Sequence, residues 1–395
     1  MNNFTNLFPG ILTNKCVGDL VAIAELLKVT AELMEMALQL NAQAPWEHPR
    51  AREWDSQTFG MWLRTRLNAA AYRYMKLTVE PDTNCDLDDM SLLHALFLSK
   101  TACITKQKGC TGIFNGLYAF NNGARIKGGG TAPVQRMAIE LPRNSLHLNC
   151  PVRTLEQNAS GVLAFADCGT FWAPYAVVTG TPQVTSRIEY VPALPAMRQQ
   201  LAQVSPAGNA VRLTAIYGEP FWKQDLHLSG SWGSLDNDPT LALYPLGYDF
   251  SNPAFPYGAL QVQVQGREAD ALMQLSAHDL RANFSQALSV FFGPKALRPL
   301  AIAGHNFASD AYLAGGANVH FPPGALTEFG PWLRQPHGRI HWAGTEYTST
   351  GLGFGYIQGA IFSGNETASL IYQLLKGRHR TSSSKHLRRR KSIFV

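Results

Sequence analysis

HWAGTEYTSTGLGFGYIQGA, residues 341–360, runs from a short apolar stretch through small residues into four glycines, Gly351, Gly353, Gly355 and Gly359, at the start of a helical pattern. Strand, glycine-rich turn and helix follow one another in the order of a phosphate or dinucleotide contact. Exposed N–H groups at a helix amino terminus favour an anion or an electron-rich ring edge, and glycine removes the Cβ that would block approach. The same composition also serves tight helix packing, so the string by itself leaves both readings open. Around it, GRIHWAG (338–344) reads as a short buried strand, and GFGYIQGAIFSGNETASLIYQLLKG reads as a helix stopped at Gly377.

Working outward, the first third of the chain is helical in pattern. Apolar positions Leu20, Ile23, Leu26, Leu27, Val29, Leu33, Met36 and Leu38 recur at helical spacing within 18–44, closed by Ala44-Pro45-Trp46. MWLRTRLNAAAYRYMKL, after a Ser-x-x-Phe start, predicts a second helix and SLLHALFLSKT (91–101) a third. From Leu146 to Gly180 the texture changes to short strands separated by Asn-Ala-Ser-Gly and Asp-Cys-Gly turns. AVRLTAIYG (210–218), LALYPLG and ALQVQVQG supply further strands, and HDLRANFSQALSVFF returns to helix. The chain is long enough for two domains, and its 46% hydrophobic and 16% charged residues describe a globular protein.

The net charge of +6 sits at one end. Residues 377–395 carry seven Lys or Arg and no acid, so the remainder is 6 − 7 = −1. That balance argues against a nucleic-acid-binding face on the folded part. The basic tail is either a solvated, disordered terminus or a weak contact for an acidic membrane or protein surface. Cys16, Cys85, Cys103, Cys110, Cys150 and Cys168 lack CxxC spacing, so reduced thiols are expected and no metal site. MNNFTNLFPG has no basic region followed by an apolar stretch, and the expectation is a cytoplasmic protein.

Seven stretches in order resemble the flavin-containing monoamine and polyamine oxidases. They are APWEHPRAREWDSQTF (44–59), GGGTAPVQRMA (128–138), LNCPVRTLEQ (148–157), VPALPAMRQQ (191–200), IYGEPFW (216–222), HFPPGALTEFGPWLRQPHGRIHWAGTE (320–346) and GYIQGAIFSG (355–364). The resemblance spans roughly residues 20–376 and implies a mixed α/β (α+β) fold of two interwoven domains. Residues 128–205 and 306–376 match segments of an FAD domain, while 1–127 and 206–305 match a substrate domain of sheet and helices. It further implies contacts to non-covalent FAD from Val152, Gly344, Thr345, Glu346 and Gly355. Val152 reads equally well as a buried strand valine. Tyr356 falls where the family sets an aromatic wall of the amine cage, or else serves as plain core. The implied chemistry is hydride removal from the carbon beside an amine nitrogen, giving an imine, with oxygen as acceptor.

The sequence also departs from the family. The GxGxxG fingerprint of the amino-terminal dinucleotide unit does not occur, so the FAD domain is expected to be incomplete. Arg212 stands where the family usually has a lysine near flavin N5, and it either pairs with a substrate carboxylate or caps its strand. Phe307 replaces a common tryptophan, and Gly316 or Ala317 stands where a second aromatic wall is expected, so the pocket should admit a bulkier amine or an amino acid. These departures leave two expectations: an amine oxidoreductase, or a catalytically silent binding protein of the same fold.

Overall fold

The structure, a computed structural model, describes residues 20–102, 112–115, 126–233, 239–316, 318–348 and 353–390. Cys16, Cys103, Cys110, Ala317 and Gly351 lie outside them, as do the last five residues of the basic tail.

Helix α1 (Leu20–Gln39) buries Ala22, Val29, Leu33, Met36 and Ala37, a stripe of three- and four-residue steps, and leaves Leu20 and Leu38 outward. After α2 (Ala51–Asp55), the second expected helix is two, α3 (Phe59–Arg64) and α4 (Ala69–Thr83), because side-chain caps restart the helix twice. Thr58 accepts from Met61 N at 3.1 Å, and Asn68 accepts from Ala71 N at 2.9 Å. Helix α5 (Leu92–Ala102) is buried almost all round. Asp55 ties this helical part to residues nearly three hundred positions on, since its Oδ2 accepts from both the N–H and the hydroxyl of Thr327 at 2.8 Å.

Helix α6 (Thr131–Ile139) buries none of its residues. It leads to β1 (Val152–Gln157), β2 (Val162–Ala166), β3 (Gly169–Ala173), β4 (Ala176–Val178) and β5 (Glu189–Val191). Four of them form a sheet in the order β3-β2-β1-β5. The antiparallel β1–β2 pair sets Val152 opposite Ala166, and two residues further out Cys150 meets Cys168 in a disulfide with Cα atoms 5.2 Å apart. The expectation of six reduced thiols is therefore corrected: the hairpin register, invisible in Cys spacing alone, brings this pair together. Cys85 is buried and free.

Helix α7 (Ala196–Val204) precedes the second sheet, built from β6 (Ala210–Tyr217), β7 (Trp232–Gly233), β8 (Leu246–Asp249), β9 (Gly258–Gln265) and β10 (Ala301–Asn306). Its order is β10-β6-β9-β8-β7, all antiparallel. LALYPLG, expected as strand, begins instead inside a helical turn, and only its end enters β8. One face of the sheet, with Val211, Leu213, Ala215, Leu260, Val262 and Val264, packs on α8 (Gly266–Met273) and α9 (Ala277–Phe292) in its own core. The other core joins the helical part to the first sheet and to β11 (Ile340–Trp342), which pairs in parallel with β4. Helix α10 (Ile357–Arg390) does not stop at Gly377. The following residues include no proline, and one glycine with arginines after it is not enough to end a helix.

Candidate functional site

Beyond β11 the chain turns through Gly344 at φ 137°, a backbone region that side-chain-bearing residues rarely adopt. Gly344 N donates to Ser363 Oγ at 3.2 Å, and Thr345 Oγ1 donates to the Gly353 carbonyl at 3.1 Å. The two ends of the glycine-rich segment are thereby fastened to each other and to α10. Gly355 turns the chain at φ 81°, and a Cβ there would lie 2.8 Å from Asn318 Nδ2. Glycine is needed at 355 for its conformation and for the close approach.

Glu346 lies inside this turn and is only 3% exposed. Burial pushes its carboxyl up to about 7, opposed by a bond from its own N–H, and no ion pair among the described residues compensates it. A buried acid without a cation is costly unless a ligand group completes it. Its neighbour Tyr347 is braced from below: the hydroxyl donates to Gly180 O at 2.7 Å and meets Arg198 Nη2 at 3.3 Å. Arg198, 4% exposed, also donates to Leu333 O at 2.8 Å and stacks 4.1 Å over Trp342. The VPALPAMRQQ stretch therefore serves as the buttress of the HWAGTE stretch.

The second half of the site is the carboxy end of α4. Asn84 ends that helix in the left-handed region at φ 56°, its N–H donating to Glu80 O at 2.7 Å. Gln263 reaches it from β9, donating through Nε2 to Pro81 O at 2.9 Å and to Asn84 Oδ1 at 2.8 Å. The Oε1 of Gln263 accepts from Arg212 Nε at 2.8 Å, the two residues being direct partners in the β6–β9 register. Arg212 is exposed, its guanidinium lies 5.6 Å from the Phe307 ring centre, and no carboxylate among the described residues pairs with it.

Asn318 joins the halves. Its carbonyl accepts from Gly208 N at 2.9 Å, Gly208 packs on Asn84, and its side-chain Nδ2 adjoins Gly355. Asn318 is 3% exposed and its Oδ1 has no hydrogen-bond partner among the described residues. Tyr356 is 43% exposed, and the charge of Asp82, at the same end of α4, acts on it. Desolvation raises the Tyr356 phenol, and the Asp82 carboxylate adds to the shift. Desolvation likewise pushes Asp82 up to about 7.

Gly344, Thr345 and Glu346 are thus tied through Thr345 to Gly353, beside Gly355 and Tyr356, and Arg212 lies at the other end of the path Gly355, Asn318, Gly208, Asn84, Gln263. Val152 stands apart, half-buried beside a bulge of the first sheet. Gly316 is buried against Gly208 and Asn84, and the residue that meets Gly355 is Asn318, two positions on. Sequence reading missed Asp82, Asn84, Gln263 and Asn318. The alternation in ALQVQVQG did hold a signal, because Gln261, Gln263 and Gln265 fall on one face of a strand whose other face is core. Elsewhere, Glu80, Asp86 and Glu268 bring carboxylate oxygens within 4.8 Å of one another. Lys76 Nζ stands among them, 2.7 Å from Glu268, and Arg267 pairs with Asp86 at 2.9 Å, so the group is an ion-pair cluster.

The family model described as "Flavin containing amine oxidoreductase" matches residues 2–372. The chain belongs to this family. A putative flavin-containing monoamine oxidase, AofH, of Mycobacterium tuberculosis is 32% identical over 84% of this chain and 69% of its own length. An L-amino acid dehydrogenase of Synechocystis is 31% identical over 86% of this chain and 68% of its own. Putrescine oxidase solved with putrescine bound superimposes with a TM-score of 0.81 at 28% identity, over 90% of this chain and 76% of that one. As a flavin-containing amine oxidoreductase, the chain has FAD as its cofactor. No helix among its described residues is long and apolar enough to cross a membrane.

Proposed function

We propose that this chain, with FAD held non-covalently, oxidises a small amine at the carbon next to nitrogen, giving an imine with oxygen as acceptor. The observation that carries the reading is the contact path through Asn318, which brings the glycine turn and the unpaired Arg212 to one end of α4. The turn fits the cofactor: Glu346 is a buried acid with no cation paired to it among the described residues, suited to a hydroxyl group, and the glycines open the backbone to close approach. Gly344, Thr345, Glu346 and Gly355 would hold FAD there, with Val152 contributing from the first sheet. When bound, FAD supplies the hydride acceptor. Cys85, the free cysteine of the described residues, is buried with its thiol raised, which favours non-covalent attachment.

The chain's own part is to bind, orient and deprotonate. An amine loses hydride from carbon only when its nitrogen lone pair is free. The Asp82 carboxylate, raised to about 7 and close enough to Tyr356 for its charge to act there, takes the ammonium proton at its oxygen. Tyr356 offers a ring face against which the neutral amine lies, and Asn318 Oδ1, buried and without a partner among the described residues, accepts from its N–H. The test is to add FAD to the purified chain, remove excess, and follow visible flavin absorbance anaerobically as amines are added. Bleaching followed by peroxide release in air is expected. A protein that never retains flavin, or whose flavin no amine bleaches, would overturn the reading, and bleaching without peroxide would replace oxygen by another acceptor.

A further inference from the structure

Arg212 is a charge held firmly and, among the described residues, left without a carboxylate partner. Its Nε is committed to Gln263, and Gln263 is itself fixed at Pro81 O and Asn84 Oδ1, so the plane of the guanidinium is set from behind. Phe307 lies against it, and no carboxylate among the described residues takes up its Nη groups. A guanidinium whose Nε is occupied still offers its outer Nη edge, which matches the two oxygens of a planar anion. On the same end of α4, the Asp82 carboxylate acts on Tyr356 through its charge, and no ion pair among the described residues joins Asp82 to Arg212. The cation and the acid are therefore separate groups.

We propose that Arg212 is a carboxylate anchor, and that the substrate is an amino acid whose acid group lies on Arg212 while its nitrogen lies at Tyr356. The inference rests on the amine-oxidising reading and adds the substrate class. A strand-capping role for Arg212 would leave its Nη groups to water and make selection indifferent to a carboxylate.

The test uses FAD-loaded protein and two matched pairs, L-phenylalanine with 2-phenylethylamine and L-leucine with 3-methylbutylamine, measured by calorimetric Kd and by kcat/KM. Each amino acid should be preferred to its amine by about 30-fold or more, the range seen when one partner of a hydrogen-bonded charge pair is lost. Arg212→Gln should bring the ratio close to one. Arg212→Lys should keep part of it, because charge survives without the planar fork. Gln263→Leu leaves the charge but frees the fork, and should lower the ratio several-fold, so the claim stays testable even if Arg212→Gln fails to fold. Amines preferred to amino acids in the parent protein, or a ratio untouched by all three substitutions, would overturn the anchor and leave amine oxidation standing. If neither class binds or is oxidised, the amine-oxidising reading fails and the anchor falls with it.

Discussion

The two halves of the candidate site are made rigid in different ways. Around Gly344, Gly353 and Gly355 the backbone is the device, bent through conformations that only glycine adopts readily and, at Gly353 and Gly355, packed where a Cβ has no room. Across β6, β8 and β9 the device is a set of side-chain amides and hydroxyls, each committed to a neighbour. The first half tolerates almost no change in shape. The second tolerates shape but not the loss of a donor or acceptor. Substitutions in the glycine turn and in the second sheet should therefore fail by different routes.

The largest effect belongs to Glu346. Its folded carboxyl is raised from 4.5 to about 7, so the native state keeps a proton that the unfolded chain has already released. Stability then falls as pH rises through the window from 4.5 to 7, and the loss at pH 8 is about 3 kcal/mol. Glu346→Gln removes that loss. Cofactor-free variant and parent should unfold at similar urea concentrations near pH 4.5, with the variant more resistant at pH 8. Taking the difference between the curves isolates Glu346 from Asp82, whose carboxyl is raised in the same direction. Parallel curves across the window would show that Glu346 is not the buried, uncompensated acid described.

Next in size is Gly355→Ala, expected to cost about 1–3 kcal/mol through a left-handed side-chain-bearing residue and contact with Asn318. Asn318→Ala makes room for the new methyl group but leaves the backbone strain. The double variant should recover about 0.5 kcal/mol or more of the combined loss, measured from urea midpoints. Strict additivity would mean that Asn318 does not couple the two halves, and the contrast drawn between them would become a separation.

The contrast also explains what was legible in the sequence. Glycines crowding a helix start, and Glu346 directly after a strand, announce themselves because backbone geometry and an isolated acid are local facts. Arg212 was visible only as an unusual residue in a familiar stretch. Its partner Gln263, and Asn84 which holds Gln263 in turn, lie about 50 and 130 positions away, and no local pattern joins them. The disulfide was hidden for the same reason: Cys150 and Cys168 meet through a hairpin register, not through a spacing rule. The split of one expected helix into α3 and α4 was readable after the fact from Asn68, a strong cap placed ahead of an alanine run.

The smallest effect probes the sheet alone. Tyr248 donates its hydroxyl to Gln261 Oε1 at 2.7 Å, and Gln261 Nε2 donates to Thr214 Oγ1 at 2.9 Å, a chain two residues along the same strands from Gln263 and Arg212. Thr214→Val keeps the shape of the side chain but removes the acceptor, leaving a half-buried amide N–H without its partner. The expected loss is about 1 kcal/mol, and Thr214→Ser should restore most of it because the hydroxyl returns. Flavin retention should not change in either variant, since no contact of the glycine turn runs through Thr214. Equal losses in Val and Ser variants would mean that packing, not the hydroxyl, matters here. The second sheet would then depend on shape as the glycine turn does, and the distinction between the two halves would not hold.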